Sequence, residues 1–273
     1  MKLNIVPART GLTWVKLGIT TFFKQPLALG GLFFMFMALV SIASIIPVIG
    51  AVIALVILPG ATLGLMAATQ QALQGKFPMP SVLITAFREG PARMRAMLVL
   101  GAMYAAGFLF IMSITTLFDG GQFATMYLLG GTISKEVLQQ ADFQTAASVG
   151  MVLYLPLSLL FWHAPALVHW HGVSPAKAVF FSMVACLRNL GAFTVYGLAW
   201  SVVFTLSAMT LISALAVVGL VSAAQLMMVP LALTMASMLF TSIYFTFSDS
   251  FDLADPTDSS APSSTDANGP PLV

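Results

Sequence analysis

Residues 189–248 read NLGAFTVYGLAWSVVFTLSAMTLISALAVVGLVSAAQLMMVPLALTMASMLFTSIYFTFS, which is 60 residues without an Asp, Glu, Lys or Arg. A charged side chain at the centre of a membrane-spanning helix costs about 2.5–3.5 kcal/mol, so spans lie between charges. One span needs about 20 apolar residues. This run is therefore long enough for two helices and the turn between them, and it predicts a membrane protein.

Three more uncharged runs complete the count of spans. They cover residues 25–75, 96–118 and 143–176, and are 51, 23 and 34 residues long. The first is long enough for two spans and the other two for one each. The predicted fold class is therefore all-α, a polytopic bundle of six transmembrane helices near residues 27–46, 49–72, 96–117, 146–168, 192–214 and 223–246. Pro and Gly place the first tight turn at 46–50, and the last turn falls near Gly219.

The composition of the chain agrees with a membrane protein. Hydrophobic residues make up 59% of the 273 residues and charged residues 7%, whereas soluble domains carry about 25% charge. Eleven Lys and Arg in so apolar a chain form no basic stripe, which argues against nucleic-acid binding. A disulfide scaffold is excluded because Cys186 is the single cysteine.

The distribution of cations predicts the orientation. Only Lys135 falls on the side of the loop at 119–144, and the other ten cations share the opposite side: Lys2, Arg9, Lys16, Lys24, Lys76, Arg88, Arg93, Arg95, Lys177 and Arg188. By the positive-inside rule both termini are cytoplasmic. The first 26 residues lack the uninterrupted apolar core of a cleavable signal peptide, because Lys16 and Lys24 interrupt them.

The segments flanking the spans complete the domain organisation. Residues 1–26 are a cytoplasmic amphipathic segment, residues 27–247 the transmembrane domain, and residues 248–273 a tail rich in Ser, Pro and Asp. That tail holds five of the nine acidic residues and no Lys or Arg, so we expect it to be disordered. In the loop at 119–144, we expect the apolar patch at 123–129 to pack against the protein.

A threefold repeat is the next interpretation. Each pair of spans follows a basic amphipathic segment, and the segments end in Phe23-Lys24-Gln25, Phe87-Arg88-Glu89 and Leu187-Arg188-Asn189. The second span of each pair carries an internal proline: Pro59, Pro156 and Pro230. These features favour three copies of an interfacial helix plus a helical hairpin. The alternative is that any basic loop beside a membrane looks amphipathic.

In this interpretation Lys24, Arg88 and Arg188 anchor the interfacial helices to anionic lipid headgroups. The third segment opens at Ser174-Pro175, an N-cap followed by Pro at the first helical position. We expect it to bury its large apolar side chains, namely Val179, Phe180, Met183, Val184 and Leu187.

Few residues in the chain have the chemistry of a catalytic or metal site. His163, His169 and His171 are close in sequence, but spacings of six and two do not share one helical face as zinc ligands would. We therefore expect His163 at the headgroup boundary, beside Trp162. No carboxylate, Lys or Arg lies within a predicted span, and proton relays and ion-coupled transporters usually carry such residues. No metal, cofactor or catalytic group is predicted.

Several hydroxyl and amide side chains within the spans are candidates for a polar path. More often such groups hydrogen-bond to their own helix or to a neighbouring one. They are Thr62, Thr69, Gln70, Ser113, Thr115, Ser158, Thr205, Thr234 and Ser237.

Six stretches resemble an uncharacterised family of bacterial inner-membrane proteins. They are VPARTGLTW at 6–14, FFKQP at 22–26, FWHAPALV at 161–168, KAVFFS at 177–182, CLRN at 186–189 and SIYFTFSDSF at 242–251. The resemblance implies an inner-membrane location and this fold but transfers no catalytic residue. The family's C-terminal signature reads Tyr-x-Ser-Tyr-Arg-Asp-Ile-Phe. Here Phe247, Ser248 and Ser250 replace its second Tyr, Arg and Ile. In layout the chain is also similar to membrane modules found beside glycerophosphodiester phosphodiesterases.

Two functions are compatible with these observations. The first is a non-enzymatic inner-membrane protein, envelope-associated or accessory, with an unidentified membrane-protein partner or a second copy of itself. The alternative is a transporter or channel for a small or lipid-like solute, lined by the proline-bearing helices. A continuous, water-wide cavity that reaches the middle of the membrane and is lined by those hydroxyls favours the alternative, and a dry, closed bundle favours the first.

Overall fold

The computed structural model of the chain describes residues 2–43, 45–46, 49–130 and 134–251. Six of its helical segments are long and apolar enough to cross a membrane, which confirms the predicted fold class. They are α2 (Pro26–Ala43), α3 (Ile49–Leu73), α5 (Pro91–Asp119), α8 (Ala141–Phe161) continued by α9 (Ala164–Trp170), α11 (Leu190–Val217) and α12 (Ala224–Ser250).

Shorter helices lie between the spans. They are α1 (Thr10–Lys24), α4 (Thr85–Arg88), α6 (Gln122–Leu129), α7 (Lys135–Leu138) and α10 (Pro175–Arg188), with single 3-10 turns at Pro80–Ile84 and Val221–Ala223. α10 starts with Pro at its first position, after Ser174, as its sequence predicts. We call the end of the bundle that carries α1, α4 and α10 the basic end.

The boundaries differ from the prediction at both turns and at the tail. The first span ends at Ala43 rather than at residue 46, and Pro47 and Val48 of the predicted turn lie outside the described residues. The chain turns at Gly219, which has a left-handed φ of 73°. α12 continues to Ser250, so residues 248–250 are helical although we placed them in the tail. Residues 252–273 lie outside the described residues.

The end of α12 and the residue that follows it have partners at the basic end. Phe251 is 1% exposed and forms an antiparallel bridge with Leu3. The carbonyl of Ser250 accepts a hydrogen bond from the backbone N–H of Asn4 at 2.9 Å, and Asp249 accepts one from the indole N–H of Trp14 at 2.8 Å. Both ends of the described chain therefore meet.

Glycine allows α1 to lie directly on α11 and α12. A Cβ at Gly11 would clash with the backbone of Ala192, and a Cβ at Gly18 would clash with Ser242. Trp14, between them, is 0% exposed. α1 is therefore packed against protein along one face, whereas Phe23 in its last turn is 63% exposed.

α10 also packs through small side chains, which corrects our prediction for its faces. It buries Ala178, Ser182, Ala185 and Cys186, whereas Phe180 is 61% and Leu187 48% exposed. In a bilayer large apolar side chains are as well solvated by lipid as by protein, so small residues take the helix contact. Val179, Met183 and Val184 are partly buried, so the prediction was wrong for Phe180 and Leu187, which face outward.

The three segments of the predicted repeat are unequal in structure. α1 has 15 residues and α10 has 14, whereas the second segment is a five-residue 3-10 turn followed by the four-residue α4. In each case, however, the basic residue lies in the last turn of its helix: Lys24, Arg88 and Arg188. A cation there complements the negative end of the helix dipole.

The spans pack in an open arc. α8 contacts α5, α5 contacts α3, α3 contacts α12 and α12 contacts α11, while α2 packs on α3 and α12. α8 and α11 form the two ends of the arc. At the basic end α10 contacts both of them, and Trp162, directly after α8, contacts Phe193 and Tyr196 of α11. At the other end, Phe123 of α6 is buried against α5 and α8, so this part of the apolar patch packs as expected, whereas Tyr127 and Leu129 are exposed.

Candidate functional site

The fourth span is broken at His163, where we predicted a continuous helix over 146–168. The backbone N–H of His163 does not bond to the carbonyl of Leu159, its partner in an unbroken helix. Instead it donates to the hydroxyl of Ser182 at 2.9 Å, and that hydroxyl donates to Leu159 O at 2.8 Å. Pro165, which has no N–H, leaves the carbonyl of Phe161 without its helical donor. α8 therefore ends at Phe161.

His163 lies inside the protein rather than at the headgroup boundary where we expected it. Its side chain is 0% exposed, and its ring lies 5.8 Å from Phe193, 5.8 Å from Phe247 and 5.6 Å from Phe251, measured between centroids. Neither ring nitrogen has a hydrogen-bond partner among the described residues. The aromatic contacts leave no access for a metal or substrate, so His163 has a packing environment.

The other two histidines do not join it. His169 is 2% exposed, and its Nε2 lies 3.1 Å from Oε1 of Glu89. The other oxygen of Glu89, Oε2, pairs with Arg93. His171 contacts Phe247 with the two rings tilted and their centroids 5.9 Å apart. Within the described ranges no three His, Cys, Asp or Glu side chains converge as metal ligands would.

A cavity of about 270 Å³ lies inside the arc, near the middle of the spans. We call it the inner cavity. Its lining comes from helices α3, α5, α8 and α12 and from the start of α9. The lining residues are Leu58, Pro59, Thr62, Tyr104, Tyr154, Leu155, Ser158, Phe161, Trp162, Pro165, Phe240 and Ile243. Pro59 is thus the one of the three predicted prolines that reaches this cavity. Pro156 and Pro230 are also inside helices but are exposed on the outer surface.

A second cavity, of about 610 Å³, lies between α8 and α11. We call it the outer groove. Its lining residues are Leu155, Ser158, Leu159, Trp162, Phe193, Tyr196, Gly197, Trp200, Ser201, Phe204, Thr205 and Leu239. Gly197 and Ser201 are exposed at the surface of the bundle, so the groove opens sideways. The groove lies in the gap of the arc.

One face of α8 borders both cavities. Leu155, Ser158 and Trp162 line both of them, and these positions share one helical face. The indole N–H of Trp162 donates to Thr246 Oγ1 on α12 at 3.0 Å. Trp162 therefore lies where the groove and the inner cavity adjoin, at the basic end.

The polar side-chain groups of the cavities are hydroxyls and the indole N–H groups of Trp162 and Trp200, and every lining side chain is uncharged. Thr62 Oγ1 donates to Leu58 O at 3.0 Å, and Ser158 Oγ donates to Leu155 O at 2.7 Å. These bonds back to the helix match the expectation for span hydroxyls. Tyr104 and Tyr154 differ, because their two hydroxyls bond to each other at 3.3 Å.

Comparison with known proteins shows the family to which the chain belongs. The chain is 36% identical over 269 residues to a probable inner membrane protein of Burkholderia thailandensis, covering 97% of this chain and 100% of the relative. The chain belongs to the same family. It is therefore a multi-pass protein of the inner membrane, as its resemblance to bacterial inner-membrane proteins implied. No family model and no solved structure matches the chain.

Sequence reasoning missed three residues that build this family member's cavities. Tyr104 and Tyr154 lie near the middle of their spans, where tyrosine is unusual because it prefers the membrane interfaces, and that position was a signal. Nothing in the sequence around Ser182 indicates its role, because that role depends on α10 lying against the break in another helix.

Proposed function

We propose that this inner-membrane protein binds a lipid-like molecule, which enters from the bilayer between α8 and α11. The observation that carries the proposal is the open arc, in which the outer groove of about 610 Å³ faces sideways and shares a wall with the inner cavity. A closed bundle would favour a purely structural role. The arrangement instead favours the alternative that the sequence left open, a lipid-like solute taken up at the spans.

The chemistry of the lining supports an apolar ligand. Leu159, Phe193, Trp200 and Phe204 offer apolar and aromatic surface along the groove. An ion or a charged solute would need compensating charges or many free polar groups to replace its water, and the lining supplies neither. An acyl or isoprenoid chain needs neither.

In this proposal the protein acts as a non-enzymatic binder or carrier and catalyses no chemical step. Such a role is compatible with an envelope-associated or accessory protein that presents a lipid to a partner. α11 is the helix best placed to contact a partner. Only 6% of the residues in its most apolar 18-residue stretch are buried, against 28–50% in the corresponding stretches of the other five spans.

A groove-blocking variant tests the proposal. A Cβ at Gly197 meets no atom within 4 Å, so Gly197→Leu starts its side chain in open space and directs it into the outer groove. Gly31→Leu on α2 is the matched control, because Gly31 also meets no atom within 4 Å and lines neither cavity. We expect native mass spectrometry of protein extracted in mild detergent to show a retained lipid in the parent and in Gly31→Leu, and its loss in Gly197→Leu. Equal retention in both variants would contradict the proposal.

A further inference from the structure

We infer that the ligand is an uncharged amphiphile whose head offers a hydrogen-bond acceptor to the Tyr104–Tyr154 hydroxyl pair, with its tail in the outer groove. This inference rests on the proposed function and adds the chemical class of the ligand. It depends on which hydrogen-bond donors and which charged side chains line the inner cavity.

One of the two hydroxyl hydrogens of the tyrosine pair has no acceptor within the pair. Tyr104 OH and Tyr154 OH lie 3.3 Å apart, and one hydrogen bond between them uses one of their two protons. Tyr104 is 5% exposed and Tyr154 is 40% exposed, so the pair extends from the core of the protein to its accessible side. The second phenol proton is available to a ligand.

The other hydrogen-bond donors of the inner cavity are already engaged. Thr62 and Ser158 donate to carbonyls of their own helices, and Trp162 donates to Thr246. Their oxygens can still accept. The cavity therefore offers one strong donor, at the tyrosine pair, and a ligand satisfies it with a carbonyl, ether or hydroxyl oxygen.

The absence of charge among the lining side chains selects against phosphate and carboxylate heads. An anion moved out of water into this site would have no cation from the lining beside it, and an uncompensated buried charge is strongly unfavourable. The depth of the site adds to this. Tyr104 lies near the middle of the helix Pro91–Asp119, far from the headgroup level, where the basic residues at the helix ends would serve an anionic head.

The dimensions fit a small head and a long tail. A dry cavity of about 150 Å³ holds a benzene molecule, so about 270 Å³ accommodates a substituted ring or a glycerol unit. The tail then passes the face of α8 formed by Leu155 and Ser158, which line both cavities, and lies in the outer groove.

Two probes that differ by one phosphate test the class of ligand. Monooleoylglycerol has an uncharged head, and oleoyl lysophosphatidate is the same molecule with a phosphate on the glycerol. Titration of the purified full-length protein, followed by native mass spectrometry, gives both dissociation constants. We expect monooleoylglycerol to bind at least tenfold more tightly.

Tyrosine variants test the proposed contact. Tyr104→Phe combined with Tyr154→Phe removes both hydroxyls and keeps both rings, so we expect the same thermal stability within a few degrees. The affinity for monooleoylglycerol should fall about fivefold, as expected for loss of one hydrogen bond. Thr69→Val is the control, because Thr69 also bears a buried hydroxyl in a span but lines neither cavity.

The outcomes separate this inference from the proposed function. If the phosphate-bearing probe binds equally or better, and Gly197→Leu abolishes its binding, the groove takes lipid but the inference about the head is wrong. An unchanged affinity in the double tyrosine variant also overturns the inference. If neither probe binds the parent protein, the proposed function fails together with it.

Discussion

The hydroxyl of Ser182 occupies the place of a main-chain hydrogen bond in another helix, accepting from His163 N–H at 2.9 Å. The same oxygen donates to Leu159 O at 2.8 Å. A side chain inserted into the i to i−4 ladder bends or breaks a helix, and here the break lies beside Trp162 and Pro165, which line the inner cavity. α10, although short, thus shapes the cavity wall.

Removal of that hydroxyl should destabilise the protein. In Ser182→Ala the N–H of His163 and the carbonyl of Leu159 lose their partner inside the bundle, which costs about 1–3 kcal/mol. Unfolding monitored by circular dichroism in detergent measures the loss. Ser148→Ala is the control, because Ser148 is exposed and donates to its own helix, and it should change stability by less than about 0.5 kcal/mol. Equal stability of the two variants would show that the break does not depend on Ser182.

The close approach of α1 to α12 should depend on Gly18. A methyl group at this position would clash with Ser242, so Gly18→Ala should cost about 1–3 kcal/mol through overpacking. Gly197→Ala is the matched control, since a Cβ there meets nothing within 4 Å and alanine is the better helix former. Thermal unfolding of the two variants distinguishes them, and a loss of stability in the control alone would contradict the packing of α1.

Two truncations should differ sharply at the C-terminus. Deletion of residues 252–273 should leave folding unchanged, because a segment rich in Ser, Pro and Asp has little apolar surface to offset its ordering entropy. Deletion of 249–273 also removes Phe251, which is 1% exposed, and the Asp249 acceptor of Trp14. Loss of a buried Phe alone costs about 3–5 kcal/mol. Size-exclusion chromatography of detergent extracts should show a monodisperse peak only for the shorter deletion, and a dispersed peak for both would show that residues 252–273 contribute to folding.

Cysteine labelling tests the predicted orientation. Burial raises the pKa of the Cys186 thiol to about 12, so at neutral pH it stays protonated, and its side chain is inaccessible at 0% exposure. The native cysteine therefore should not label. In intact cells an impermeant thiol reagent should label Gln122→Cys, at the exposed start of α6, and should not label Ser260→Cys. The reverse pattern would place both termini outside.

The sequence by itself determined the number of spans and their approximate positions, because the cost of burying a charge in lipid acts on each segment independently of its neighbours. The uncharged runs therefore correspond to α2, α3, α5, α8–α9, α11 and α12. Local chemistry also determined the start of α10 at Pro175.

Helix faces, the break at His163 and the cavities were decided by tertiary structure. Hydrophobicity cannot distinguish a lipid-facing from a protein-facing side chain, because lipid and protein interior are equally apolar, and so Phe180 and Leu187 face outward instead of inward. The break needs Ser182 from a helix that follows it in the chain. The cavity needs Tyr104 and Tyr154, which are 50 residues apart, to meet. Such contacts depend on which helices pack together, and that is settled by shape complementarity over the whole bundle rather than by any one segment.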